Sequence, residues 1–291
     1  MFSGVMWRGV VMVSRDKEVI NVWRHPAIAG LELMRATYIR QRFTRHAHER
    51  FAVGVIEAGA LGFHYRGESV VAPAGAINLA NPDEPHTGHA AAQQGWTYRM
   101  FYFDAEHLRD AVAQMADRPR AVPRFAAGVI HDDGLAYQIR SLHQALEQDV
   151  ASRLEMQSWF MAMLVALIQR HSDTRPYQRP VGQEPRAVQR TREFIHTHYA
   201  DDVSMDQLAS IACLSPYHFM RVFTRNVGLP PHTYLIQTRV RQARAMLNAG
   251  QRPAAAAQAA GFFDQSHFTR HFKRLTGMTP GKYRRIVQES P

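Results

Sequence analysis

Two stretches of the 291-residue chain decide its C-terminal architecture: LASIACLSPYHFMRVFTRNVGLPPHTYL (208–235) and AAQAAGFFDQSHFTRHFKRLTGMTPGKYRR (256–285). At a spacing of 49, Phe219, Arg221, Phe223, Arg225, Gly228, Pro231 and Tyr234 recur as Phe268, Arg270, Phe272, Arg274, Gly277, Pro280 and Tyr283. Seven identities at one offset mark an internal repeat. Each copy begins with a short Ala-rich helix (205–212 and 253–260), makes a tight turn and continues into a second helix. Ser215, followed by Pro216, starts one of these second helices and Asp264 starts the other; serine and aspartate cap helix N-termini, and proline suits the first helical position. Helix, tight turn, helix is the unit whose second helix enters the DNA major groove.

The helical angle of about 100° per residue sorts each second helix into faces. Phe219, Val222 and Phe223 gather as core, with Tyr217, Arg221, Thr224 and Arg225 opposite and His218 and Met220 on the flanks. In the second copy Phe268 and Phe272 are core. Ser266, Arg270, Lys273 and Arg274 lie opposite, flanked by His267 and Thr269. Outer faces that combine arginine with small hydroxyls suit guanine edges and phosphates. The matched Arg221 and Arg270 are read as base contacts; Lys273, Arg274, Lys282, Arg284 and Arg285 are read as phosphate contacts. Between the copies, residues 230–248 carry an apolar stripe (Tyr234, Leu235, Val240, Ala243, Leu247) without a breaker. They predict one continuous helix that spaces the two units along one face of a duplex.

These residues resemble the DNA-binding domain of the AraC/XylS family of bacterial transcription regulators over about residues 186–289, and GFFDQSHFTRHFKRLTGMTPGKYRR (261–285) fits the family signature almost position by position. The resemblance implies base contacts by Tyr217, Met220 and Arg221 in the first unit and by Ser266, His267 and Arg270 in the second. The chain departs from the family at Ala254–Ala257, where a larger aliphatic residue is usual, which predicts thin packing of that helix. Met220 stands where polar residues are common.

Charge agrees with this division. The net charge is +10, and residues 185–291 hold 15 Lys/Arg against 6 Asp/Glu. A basic module beside a nearly neutral one suggests a polyanion-binding domain joined to something else. Its boundary is SDTRPYQRPVGQE (172–184), which has two prolines and no apolar stripe and is read as a linker over 172–185. One cysteine, Cys213, excludes a disulfide framework or a structural zinc finger. No window holds 18 consecutive apolar residues, so no membrane partner is expected. Residues 1–13 read as a ragged start or an edge strand rather than a signal peptide, and the expected location is the cytoplasm.

From about 20 to 103, short alternating runs (51–56, 61–65, 76–80, 96–103) broken by Gly, Pro and Asn read as strands of a sandwich or small barrel. His46 and His48 share one strand face, and His86 follows several strands later. The pattern resembles the cupin barrel and the sensor domain common in the same regulator family. Catalytic cupins add a carboxylate four or five residues after the second histidine, where this chain has Ala52 and Val53, so neither catalysis nor a metal cofactor is expected. Three readings of the histidines stay open: bonds to backbone, a metal-free pocket, or a metal site. Phe63 and Tyr65 share a face, with Arg66 on the other; Trp96, Tyr98 and Tyr102 share another, with Arg99 and Phe101 opposite. Inward aromatics plus an arginine would suit a planar or anionic effector. His46, His48, Tyr65, His86, Trp96 and Tyr98 are the candidate effector residues.

Residues 104–171 change to helical period, in stripes through Leu108, Val112 and Met115, through Leu135, Ile139, Leu142 and Leu146, and through Leu154, Phe160, Leu164, Leu167 and Ile168. The barrel, each other or a second subunit would cover the last two stripes, so these helices are candidates for dimer formation or interdomain contact. The expected molecule is thus multi-domain: a mainly-β cupin-like barrel with trailing helices (20–171), a linker, and an all-α domain of two helix-turn-helix units joined by a helix (186–289). The expected function is a transcription regulator, an activator in the family's usual manner, that binds double-stranded DNA as a homodimer, is controlled by a small-molecule effector and contacts RNA polymerase. A metal-dependent cupin enzyme fused to a DNA-binding module, and a constitutive DNA-binding protein, are the competing readings.

Overall fold

A computed structural model describes residues 8–12, 18–115, 121–173 and 184–289. Its strands are β1 (Arg8–Met12), β2 (Val19–Arg24), β3 (Glu32–Tyr38), β4 (Arg42–His46), β5 (Phe51–Tyr65), β6 (Glu68–Pro73), β7 (Ile77–Ala80), β8 (His86–Ala90), β9 (Trp96–Phe103) and β10 (Val129–Ile130). Its helices are α1 (Ala105–Met115), α2 (Asp133–Gln148), α3 (Arg153–His171), α4 (Pro185–Thr197), α5 (Met205–Ala212), α6 (Pro216–Val227), α7 (Pro231–Asn248), α8 (Pro253–Ala259), α9 (Gln265–Thr276) and α10 (Pro280–Glu289). The chain forms two compact units, residues 1–147 with 159–178, and residues 148–158 with 179–291. The division runs through α3, so residues 148–158 group with the C-terminal helices. Most of the expected linker, residues 174–183, lies outside the described residues.

In the first unit every strand pairing is antiparallel. One sheet runs β1-β2-β3-β9-β5-β7-β10, and β6 and β8 pair with the second half of β5, with β4 beyond β8. The runs expected as two strands, 51–56 and 61–65, are a single strand with a bulge between Ile56 and Ala58. The bulge turns β5 from one sheet into the other. Gly59 makes this possible: it sits at φ +70°, and a Cβ there would lie 1.9 Å from the Gly95 carbonyl. Apolar residues of both sheets, among them Tyr38, Ile56, Leu61, Phe63, Trp96, Tyr98 and Met100, form one core cluster. The stripes of α2 and α3 are covered within one chain: Leu135, Ile139, Leu142, Leu146, Leu154, Phe160, Leu164, Leu167 and Ile168 are all buried.

In the second unit the repeat is visible as structure. Phe223 meets Tyr234 edge-on at 5.5 Å, and Phe272 meets Tyr283 at the same distance. Both tyrosines carry an arginine on the ring face, Arg192 at 5.7 Å and Arg244 at 5.6 Å. Each arginine also donates to its tyrosine hydroxyl, at 3.1 and 3.0 Å. Arg192 belongs to α4 and Arg244 to α7, so the end of α7 serves the second copy as α4 serves the first. Of the alanines expected to leave α8 thinly packed, Ala254 and Ala255 are exposed, while Ala256 and Ala257 are buried in a cluster with Ala260, Phe262, Phe268 and Phe272.

Candidate nucleic-acid interface and ligand cavity

Matched signals start and stop the second helix of each helix-turn-helix unit. α6 begins at Ser215–Pro216 and ends on Gly228 at φ +79°; α9 begins at Asp264 and ends on Gly277 at φ +80°. Left-handed glycines end both helices because a side chain at that φ is strained. Asp264 accepts from the His267 amide at 2.6 Å. Ser215 occupies the same position, but its hydroxyl takes no helix amide, so Pro216 alone defines that start.

Phe219, Val222, Phe223, Phe268 and Phe272 are fully buried, as the helical angles require. On α9, Ser266, Arg270, Lys273 and Arg274 are exposed; on α6, Arg225 is exposed and Met220 and Arg221 are half-buried. Two residues expected to contact bases are buried instead. Tyr217 is 3% exposed, because its ring tucks under Arg221, whose guanidinium lies 5.5 Å from the ring centre. His267 is 1% exposed, its ring packed against Phe262 and facing Glu155. Arg284 is half-buried and donates to the Gly250 carbonyl at 3.3 Å, which gives it a structural duty at the end of α7. Arg270 donates to the Val150 carbonyl at 2.9 Å.

Between the two sheets lies a cavity of about 160 Å³, walled chiefly by Met34, Tyr38, Phe43, Phe63, Trp96 and Tyr98. His46, His48 and His86 stand together in its lining, with ring centres 4.6 to 4.9 Å apart. Cross-strand pairing of His46 with His86 brings β4 and β8 together there. His46 Nδ1 faces the Thr44 carbonyl at 2.8 Å and His86 Nδ1 faces the Glu84 carbonyl at 2.9 Å. A carbonyl accepts only from a protonated Nδ1, which leaves both Nε2 lone pairs available. Burial and the two neighbouring imidazoles pull His48 down to about 4; burial also lowers His86, against the opposing Glu84 carbonyl. Three imidazoles at this spacing offer a metal ion three nitrogen donors, and among the described residues no carboxylate joins the group.

Of the candidate effector residues, the three histidines, Trp96 and Tyr98 line the cavity and Tyr65 does not. The Tyr65 hydroxyl donates to Glu84 and accepts from the Asn81 side chain at 2.7 Å, a network that also ties Asn81 to the Phe125 backbone. Arg99 likewise lies off the cavity, buried between Glu57, Glu147 and His143 on the opposite face of β9. With no arginine in the lining, the expected anionic effector loses its counter-charge. Sequence reading missed Met34, Tyr38, Phe43, Asn78 and Met100. Met100 was reachable by the period of two from Trp96 and Tyr98. Met34 and Tyr38 reach the cavity because β3 pairs with β9, opposite Met100 and Trp96, and no local pattern encodes that pairing. Two buried polar atoms in the lining, Trp96 Nε1 and Asn78 Oδ1, have no hydrogen-bond partner.

Residues 28–164 match the AraC-like ligand binding domain, and residues 208–286 match a helix-turn-helix domain. The chain belongs to the AraC family. This AraC-family chain is 29% identical to the uncharacterized HTH-type transcriptional regulator YbfI of Bacillus subtilis, over 81% of its own length and 85% of that protein. It is 32% identical to the arabinose operon regulatory protein of Escherichia coli, over 35% of its length and 36% of that protein. Among solved structures, ToxT from Vibrio cholerae aligns over 89% of this chain and 98% of its own, at 9% identity and a TM-score of 0.36. The two matched domains give this chain a DNA-binding helix-turn-helix module and a ligand-binding module. Among its described residues no helix is long and apolar enough to cross a membrane.

Proposed function

We propose that this regulator binds promoter DNA through both helix-turn-helix units and is controlled by a small, largely apolar effector held between the two β-sheets. The cavity carries this reading: aromatic and aliphatic walls favour a planar apolar body. The partnerless Trp96 Nε1 and Asn78 Oδ1 call for one hydrogen-bond acceptor and one donor on the effector. On the DNA side, Arg221 and Arg270 read bases with Met220 and Ser266 beside them, while Arg225, Lys273 and Arg274 hold phosphates. The protein acts as an activator that contacts RNA polymerase, and the effector shifts a homodimer between two arrangements of its DNA-binding domains. The apolar stripes of α2 and α3 are already covered in one chain, so the dimer contact draws on other surface.

The test measures binding of the full-length protein to its own upstream region and to random DNA across a salt series, with and without effectors found by thermal shift. A preference that survives physiological salt and changes with effector supports the reading; equal binding to both DNAs that collapses with salt overturns it. The three converging histidines favour one second reading, a metal-dependent barrel. A stoichiometric first-row metal lost on His46→Ala, with no response to apolar compounds, would select it.

A further inference from the structure

A second cluster of metal-binding side-chain types lies in the C-terminal unit: Glu155, His267 and His271, whose donor atoms fall within 4.8 Å of one another. A capping box positions the carboxylate. Glu155 Oε2 accepts from the Ser152 amide at 2.9 Å and from its hydroxyl at 2.7 Å, and Ser152 Oγ stands 3.4 Å from the Glu155 amide. His267 Nε2 lies 3.4 Å from Oε2, and His271 Nε2 lies 3.6 Å from Oε1. The two histidines are one helical turn apart on α9, with ring centres at 4.6 Å.

The side chains of Glu155 and His267 are 2% and 1% exposed; His267 Nδ1 has no hydrogen-bond partner, and Nε2 meets the carboxylate only across the 3.4 Å contact, too poorly aligned for a hydrogen bond. A buried carboxylate at this site needs a positive partner, either a protonated imidazole or a metal ion held between the three side chains. Arg239, whose charge reaches Glu155, directs its guanidinium to the Tyr199 and Asp201 carbonyls instead. With bonds of about 2.0–2.1 Å, tetrahedral ligands lie about 3.3–3.4 Å apart, close to the separations found here. Two imidazoles and one carboxylate suit zinc-like ions better than magnesium or calcium. We propose that Glu155, His267 and His271 form a binding site for a divalent first-row transition-metal ion, with solvent reaching the fourth position beside the partly exposed His271.

The consequence rests on the reading of α9 as a DNA-reading helix. Arg270 is its proposed base contact and His267 is buried beside it, and both are held by residues 148–158, through the Val150 carbonyl and Glu155. A bound ion ties this segment onto α9, and DNA at the second unit needs the segment to leave. Metal therefore opposes DNA binding, and linkage requires DNA to weaken metal binding by the same factor.

The experiment titrates chelator-treated full-length protein with zinc by calorimetry and with cobalt by absorption, without DNA. Glu155→Gln keeps the capping box, which glutamine also forms, and removes the anionic ligand. His271→Ala removes a nitrogen. Each is expected to lose one metal equivalent, with the loss repeated in a His86→Ala background to separate this site from the barrel histidines. Zinc is then expected to weaken binding to upstream DNA by about tenfold in the wild type, against less than about twofold in His271→Ala. Unchanged stoichiometry in both variants, or equal zinc effects on wild type and His271→Ala, would overturn the proposal. A chelated wild type without preference for upstream DNA would refute the DNA reading alone, since the metal count is taken without DNA.

Discussion

Single residues divide here by whether one helix or the whole packing fixes their exposure. Arg270 and Lys273 are exposed on the same helix and carry the same charge, but a fork that can grip a guanine edge and a flexible point charge do different work. Arg270→Ala is expected to cost roughly 1–3 kcal/mol on a specific site and to relax specificity there, while Lys273→Ala weakens all sequences alike and lowers the salt slope by about 1. Parallel binding curves on specific and random duplexes check this; equal losses in both variants would refute the assignment. Tyr217 and His267 show the limit of helical angles. Both sit in the first turn of their helix, and the side chains that cover them, Arg221 over Tyr217 and Phe262 and Glu155 against His267, are invisible to a helical wheel.

At the scale of elements, caps and small residues set the boundaries. Asp132 holds the start of α2 by accepting from the Leu135 amide at 2.9 Å, and it meets Arg170 and His171 of α3 at 3.2 and 2.9 Å. These bonds favour the carboxylate, the Leu135 amide most, and hold it at about 2 against an ordinary 3.8. Its contribution is fully present above the ordinary value and is lost as pH falls towards 2. Asp132→Asn is expected to lose about 2 kcal/mol at neutral pH and to flatten the stability profile below pH 4, as denaturant unfolding at several pH values would show. On α8, Ala256 is completely buried against the second copy's aromatic cluster. Ala256→Leu overfills it and is expected to cost about 1–3 kcal/mol in unfolding free energy, although the family pattern favours a larger aliphatic residue nearby. A gain in stability would show that the helix does have room.

For the whole molecule, the ligand-binding domain offers a ready measure of effector control. A compound that binds only the folded protein at a concentration of 100 times its Kd stabilises it by about 2.7 kcal/mol. Such a compound should raise the melting temperature of the wild type and fail to do so in Trp96→Ala, which opens the cavity wall. A shift that persists undiminished in Trp96→Ala would place the compound elsewhere.

The sequence alone determined the double helix-turn-helix, its element types and its aromatic core. Those follow from a repeat, a period of 3.6 and caps that act over three or four residues, all local forces written at fixed spacing. It also put His46 beside His48, although β4 ends at His46 and His48 meets it from the loop that follows rather than by alternation along a strand. Only the tertiary structure decided that β5 is one strand shared by two sheets, that Met34 and Tyr38 reach the cavity while Tyr65 and Arg99 do not, and that Glu155 stands beside His267. Each of these depends on which distant segments pack together. That choice is made by burial summed over the whole core, and sequence spacing carries no record of it.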